Sequence, residues 1–384
     1  MMKNICVVGS LSGIFTHSYI VGLINTGHKV CVINTSKKVK YDKYLDCSVL
    51  NLYPQNDEQI SGKTKSNLKK SFLFCYFYEL LLFFRSVFSH DVNIEYFLKG
   101  RNIDTFIFFW GTSIRREFYC IKKIFKNIKD KPEFILDVAT YPIRDYATEN
   151  TPSSLLFFDT KFFNEFDIVL SHSSYMDSFL QTKLSVDSYR INRFVCSFPN
   201  SAYFKGVIEN SETTPKKIIF LGTLDNSSAI NDITNDIIKL ADAGVDVYVQ
   251  ENKHYFNKNP RIKTFKPFSF EQIITGEFSM FCSTFDGALV IYGPMSSLRE
   301  KLTYPTRYAL ALLQNIPIFI PKNRFKSLEE IADRNKNNQI IYYSSIDEIA
   351  TAILSSSDSL YKVDECMETK LNDLLVRKKQ ASGN

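Results

Sequence analysis

Short apolar runs and amphipathic stretches with helical spacing take turns along the first two hundred residues. Residues 5–8 read as a buried strand, a helix follows from about residue 16 to 25, and residues 29–33 form the next strand. Further strands are expected at 105–109, 134–138, 167–170 and 189–194, with helices near 76–88, 114–125 and 174–183. Apolar strands separated by amphipathic helices predict a parallel, doubly wound sheet. A polar break at 206–215 interrupts the alternation, which then restarts. Strands are expected at 217–221, 245–249, 262–265, 288–292, 316–320 and 340–343; Ile230, Ile233, Ile237 and Ala241 stripe one helix face, and Ser345 caps a helix starting at Ile346. The pattern predicts an α/β chain of two Rossmann-like domains, 1–205 and 216–355, joined by a linker at 206–215, with a C-terminal helix or tail at 356–384.

Composition narrows the class without naming a chemistry. A chain of 384 residues, 45% hydrophobic and 23% charged, suits two ordinary globular domains, each able to bury its own core. The 33 Phe and 21 Tyr fit an AT-rich genome as well as any ligand. The eight cysteines include no C-x-x-C pair, so they read as free thiols in a reducing compartment. The start, M-M-K-N-I-C-V-V-G-S, runs straight into a strand and does not have the pattern of a signal peptide, which places the expected chemistry on the cytoplasmic side. A net charge of +6 permits an anionic lipid or phosphorylated partner and requires neither.

Residues 71–89, S-F-L-F-C-Y-F-Y-E-L-L-L-F-F-R-S-V-F-S, raise the membrane question. Glu79 and Arg85 inside the segment would each cost about 2.5–3.5 kcal/mol at a bilayer centre, which argues against spanning. With Lys63, Lys65, Lys69 and Lys70 just before it, the segment reads either as an interfacial helix on anionic headgroups or as a buried helix of the first domain.

Several side chains stand where an open α/β sheet collects ligands. Gly9 and Gly13 flank a small-residue turn after the first strand. The third glycine of G-x-G-x-x-G is missing and the second strand ends in Asn34-Thr35 rather than an acid, so a bound dinucleotide is not expected. His17, just past the turn, is a candidate base or hydroxyl ligand, or a structural histidine. Asp137 ends a strand at the edge where ligands gather and is a candidate proton acceptor, or a cap of the following loop. Arg144 and Asp145 follow in that loop as candidate contacts to an anionic acceptor. Ser171-His172-Ser173-Ser174 opens a helix, with capping as its main role and His172 placed at the rim. No D-x-D, H-E-x-x-H or G-x-S-x-G occurs, no metal or cofactor is expected, and no nucleic-acid signature appears.

The richest stretch is T-Y-P-T-R-Y-A-L-A-L-L-Q-N-I-P-I-F-I-P from Thr303 to Pro321. Pro305 opens a helix, Tyr308, Leu312 and Leu313 share a face, and Pro317 ends the helix before a short apolar strand. It resembles the donor-side signature of GT-B glycosyltransferases, commonly Pro-x-Lys, then a carboxylate, then Gly-x-Pro-Val. Arg307 stands at the Lys position, Leu310 at the carboxylate and Asn315 at the Gly. Gly222-Thr223 after the strand 217–221 is similar to the opening of the donor domain in glycosyltransferase family 4, where a glycine lets a diphosphate approach the backbone, and Phe198-Pro199-Asn200 resembles a Pro-Asn that closes the first domain.

That resemblance implies transfer of a sugar from a nucleotide-sugar donor to a hydroxyl of a glycan or lipid-linked glycan in surface-polysaccharide synthesis (lipopolysaccharide or capsule), without a metal and at the inner face of the membrane. It implies donor contacts from Gly222, Thr223, Arg299, Glu300, Lys301, Pro305, Thr306 and Arg307, with Glu300 standing in for the carboxylate absent at Leu310. His17 and Asp137 would be catalytic, and Gly13 and Arg144 would face the acceptor. Two alternatives stay open: a catalytically degenerate GT-B-like scaffold subunit and a nucleotide-sugar epimerase.

Overall fold

The computed structural model describes residues 2–11, 14–36, 45–53, 72–110, 114–142, 150–151, 156–194, 216–222, 224, 232–252, 259–312, 316–334 and 340–355. They group into two compact units with the boundary between Cys196 and Ser197. The expected linker at 206–215 and the C-terminal segment 356–384 lie outside the described residues.

The first unit runs β1 (Asn4–Gly9), α1 (Ile14–Asn25), β2 (Lys29–Asn34), β3 (Ser48–Asn51), α2 (Phe72–Val87), α3 (Val92–Leu98), β4 (Thr105–Phe109), α4 (Ile114–Ile124), β5 (Glu133–Asp137), α5 (Phe157–Phe163), β6 (Ile168–Ser171), α6 (Ser174–Thr182) and β7 (Ile191–Arg193). Its sheet is parallel throughout, in the order β3-β2-β1-β4-β5-β6-β7. The chain therefore starts mid-sheet, winds outward one way, and returns to wind the other. The carboxyl ends of β1 and β4 consequently flank the topological switch point, where α/β sheets bind ligands.

Alternate residues of the strands point to opposite faces. On one face Ile5, Val7, Val32, Ile107 and Ile135 pack with Tyr19, Ile20 and Leu23 of α1. On the other, Phe106 stacks on Phe134 at 5.5 Å, Phe108 meets Phe118 at 5.5 Å and Phe118 meets Phe166 at 4.6 Å. Much of the Phe content is thus core packing. Within it the buried Arg115 pairs with Asp159, whose other oxygen accepts from the Tyr141 hydroxyl at 2.7 Å. The pairing satisfies charges that burial would otherwise penalise by several kcal/mol.

The second unit runs β8 (Lys217–Phe220), α7 (Thr234–Asp242), β9 (Asp246–Gln250), β10 (Ile262–Phe265), α8 (Phe270–Ile274), α9 (Glu277–Cys282), β11 (Gly287–Leu289), α10 (Ser297–Leu302), α11 (Thr306–Leu312), β12 (Ile318–Pro321), α12 (Lys326–Arg334), β13 (Ile340–Tyr343) and α13 (Ile346–Ser355). Its sheet is also parallel, in the order β10-β9-β8-β11-β12-β13, so its switch point lies between β8 and β11. Ile218, Phe220, Val247, Leu289 and Phe319 meet Ile237 and Leu240 of α7 and Ile349 and Ile353 of α13 in its core.

Local signals read from the sequence reappear as hydrogen bonds. Ser173 caps α6 by accepting from the Met176 amide at 3.1 Å, and Ser345 accepts from the Glu348 amide at 3.3 Å. Pro305 immediately precedes α11, and its carbonyl accepts from the Tyr308 amide at 3.1 Å. The segment 71–89 is neither a span nor a fully buried helix. It forms α2 on the surface with one buried face, and no described helix is long and apolar enough to cross a membrane.

Candidate active site

In the first unit the loops after β1 and β2 are sewn together by one buried side chain. Asn34 ends β2, where dinucleotide-binding folds place an acid. Its Oδ1 accepts from the amides of Leu11 and Ser36, both at 3.0 Å, and its Nδ2 donates to Asn51 Oδ1 at 2.7 Å. The Thr35 amide adds a bond to the Gly9 carbonyl at 2.9 Å. Gly9 sits close to its neighbour: a Cβ there would lie 3.0 Å from the Phe109 ring, which would have to shift slightly.

Asp137 closes β5 at the same edge. Its carbonyl accepts from the Trp110 amide at 2.8 Å, and among the described residues its carboxyl accepts no hydrogen bond. The residue is 9% exposed, and burial alone pushes its pKa up to about 7. A buried carboxyl whose pKa lies near neutrality has the acid–base character that suits proton transfer.

The two histidines are less accessible than the sequence suggests. His17 lies within α1, 2% exposed, with its pKa lowered to about 4 by burial, so it is neutral at pH 7 and shielded from solvent. His172 is buried rather than at a rim, its Nδ1 3.2 Å from the Val138 carbonyl oxygen. Gly13, Arg144 and Asp145 lie outside the described residues, as do Phe198-Pro199-Asn200.

In the second unit a cluster of arginines gathers at the switch point. The α11 residue Arg307, 8% exposed, sends its guanidinium to the carboxyl edge of the sheet, where Nη1 donates to the Ile291 carbonyl. The group lies over the Tyr292 ring at 4.0 Å and the Phe220 ring at 4.7 Å. Arginine suits this position because its flat cation stacks on rings and sheds water more readily than an ammonium. Burial lowers its pKa from the usual arginine value, which still leaves it charged.

Gly222 acquires a meaning here that sequence did not show. A Cβ on it would sit 2.4 Å from Arg307 Nε and 2.6 Å from Cζ, so the glycine makes room for the guanidinium. Gly222→Ala is expected to cost about 1–3 kcal/mol by overpacking. Thermal denaturation checks this, and the cost should largely vanish when Ala is also placed at 307.

Arg299, Glu300 and Lys301 lie on α10, a short helix capped by Ser296 through the Arg299 amide at 3.3 Å. Burial pushes the pKa of the Tyr292 phenol up, and the positive charges of Arg307 and Arg299 offset only part of that. Glu300 meets Arg324, whose Nε donates to Oε1 at 2.9 Å. Arg324 also donates to the Tyr292 and Gly293 carbonyls, each at 2.5 Å, and fixes the loop after β11. The structure thus gives Glu300 an arginine partner. Arg324 itself escaped the sequence reading, although a cation three residues after a strand-ending proline was the available signal. Lys301 is half-buried with its carbonyl accepting from Ser327 Oγ at 2.7 Å; Pro305 is buried; Thr306 opens α11; Thr223 lies outside the described residues.

No protein-family model matches the chain, and no curated protein matches it. Solved structures do. The Anabaena protein HepE in complex with UDP and glucose aligns over 92% of this chain and 89% of its own, with a TM-score of 0.57 and 11% identity. A glycosyltransferase from Rickettsia africae aligns over 99% of this chain and 97% of its own, with a TM-score of 0.52 and 13% identity. HepE with UDP-glucose aligns over 91% of this chain and 88% of its own, with a TM-score of 0.52 and 10% identity. At such identity the likeness concerns architecture. With two parallel Rossmann-like sheets in one chain, this protein has the GT-B glycosyltransferase fold.

Proposed function

We propose that the chain is a glycosyltransferase that moves a sugar from a nucleotide-sugar donor to a hydroxyl of a glycan or lipid-linked glycan. The observation that carries this reading is the arginine pair at the switch point of the second unit: Arg307 stacks on Tyr292 and Arg324 fixes the loop beside it, with Arg299 on the preceding helix α10. A departing nucleoside diphosphate needs fixed positive charge aimed at it, and pre-oriented guanidinium groups supply it without a metal ion. The HepE complexes hold UDP and UDP-glucose on a similar fold, which makes uridine the first base to test.

In this reading Asp137 of the first unit takes the acceptor proton. The acceptor oxygen bonds to the anomeric carbon, the bond from that carbon to the diphosphate oxygen breaks, and the electron pair leaves with the phosphate. The acceptor would belong to surface-polysaccharide synthesis on the cytoplasmic side, as the resemblance of the Thr303–Pro321 stretch implies.

Thermal unfolding with UDP, GDP, dTDP, ADP and CMP tests the donor site. One nucleotide at a hundred times its dissociation constant should add about 2.7 kcal/mol of stability. No shift with any of them at millimolar ligand would overturn the enzymatic reading and leave the scaffold subunit in its place. Product analysis then separates transfer to an acceptor from epimerisation of the donor.

A further inference from the structure

A helix on a protein surface normally keeps its apolar stripe inward and polar side chains outward. The helix α2 departs from this rule. Its inner face is marked by the buried Phe83 and Ser86, with the Phe83 ring 5.2 Å from Phe158 and 6.0 Å from Tyr119. Facing away from these are Phe77, Leu81, Phe84 and Phe88, which are 59%, 63%, 51% and 78% exposed. Steps of four, three and four residues put them in one line along the helix. Phe88, one residue past α2, continues the turn: its backbone amide donates a hydrogen bond to the Phe84 carbonyl at 3.1 Å.

Beneath the line Phe84 meets the buried Phe83 at 6.0 Å, which packs on the buried Phe158; Phe157, 5.5 Å from Phe158, is itself exposed. Four half-exposed side chains of this size sum to about 400 Å², the level at which an apolar patch marks an interaction surface. Two cations sit with it. Arg85 is exposed next to Leu81 and Phe88 on the helix surface, and the exposed Lys161 holds its Nζ 5.2 Å above the Phe83 ring.

We propose that α2 lies in the interfacial plane of an anionic lipid bilayer, with the line from Phe77 to Phe88 in the acyl boundary and Arg85 and Lys161 on the headgroups. The 16 residues of α2 span only about 24 Å, too short to cross but suited to lying flat. Charge chooses the occupant. A two-fold contact between copies of this chain would bring Arg85 and Lys161 against their own equivalents, whereas anionic headgroups neutralise both. The proposal rests on α2 and its neighbours alone and stands whether or not the chain transfers sugars.

Co-sedimentation of the full chain with phosphatidylcholine vesicles, with and without phosphatidylglycerol, tests it. The protein should sediment with the anionic vesicles and release at high salt. The triple variant L81Q/F84Q/F88Q should lose at least about a hundredfold in binding, with its melting temperature retained. R85Q/K161Q, which leaves the apolar line intact, should lose about tenfold on anionic vesicles and little on neutral ones. A folded wild type that ignores anionic vesicles would overturn the proposal, as would a triple variant binding like wild type. A wild-type dimer that ignores vesicles and that the triple substitution dissociates would assign the surface to a second copy instead.

Discussion

Asp137→Asn is expected to lower turnover by about a hundredfold to ten-thousandfold while making the protein more stable at neutral and alkaline pH. The first effect follows from removing the group proposed above to receive the acceptor proton. The second follows from what ionising that group costs. Burial lifts the Asp137 pKa from the ordinary 3.8 to about 7, so between those values the folded chain holds a proton that the unfolded chain has released. Stability therefore falls as pH rises through this window, by up to about 4 kcal/mol when it has been crossed, and is fully present below pH 4. The variant cannot ionise and escapes that loss. Activity runs the other way: kcat/KM should rise with pH to a plateau, with an apparent pKa of about 7. Denaturant melts of both proteins from pH 5 to 9 and a pH–rate profile supply the readouts. Parallel stability curves for wild type and variant would sink the assignment, as would a variant that keeps its turnover.

Substitution of Arg307 should separate packing from charge. Arg307→Ala removes the stem between two rings and strands the Ile291 carbonyl, a loss of about 2–4 kcal/mol of stability. Arg307→Met keeps most of the volume and discards the charge. Because burial disfavours this cation, the methionine variant should lose less than the alanine variant, about 1–2 kcal/mol for the stranded Ile291 carbonyl. Its nucleotide affinity should nevertheless fall about tenfold to a hundredfold, the worth of one charged hydrogen bond to phosphate. Calorimetric titration with the nucleotide found by thermal shift measures this directly. If the methionine variant binds as tightly as wild type, Arg307 is a packing residue and phosphate charge is met elsewhere.

The parts of the fold that sequence made legible are those whose burial is written in consecutive residues. The runs that became β1, β4, β8 and β12 are apolar enough to announce themselves, and the Pro305 and Ser345 signals act over one turn. The edge strand β3 did not show, because Ser48–Asn51 is short and half-buried. The helix α10 was hidden because six residues, half of them charged, leave no apolar period to detect. Asp137 stood out by its place at the end of a strand, but its raised pKa comes from residues packed around it by the fold. Gly222 was visible as a glycine after a strand, yet the side chain it accommodates lies 85 positions further on. His17 looked available from its place after the turn, and only packing against the sheet shows it to be enclosed.

Asn34 restricts what this scaffold can become. It is fully buried, with Oδ1 committed to the Leu11 and Ser36 amides and Nδ2 to Asn51. An aspartate put there would keep the two amides but turn a second acceptor oxygen toward Asn51 Oδ1, inside the same enclosure and shielded from a ribose hydroxyl. The single exchange that would complete a dinucleotide site on many open sheets is therefore silent on this one. Descent toward a redox enzyme would require both loops to be rebuilt first, and the acid would have to arrive second.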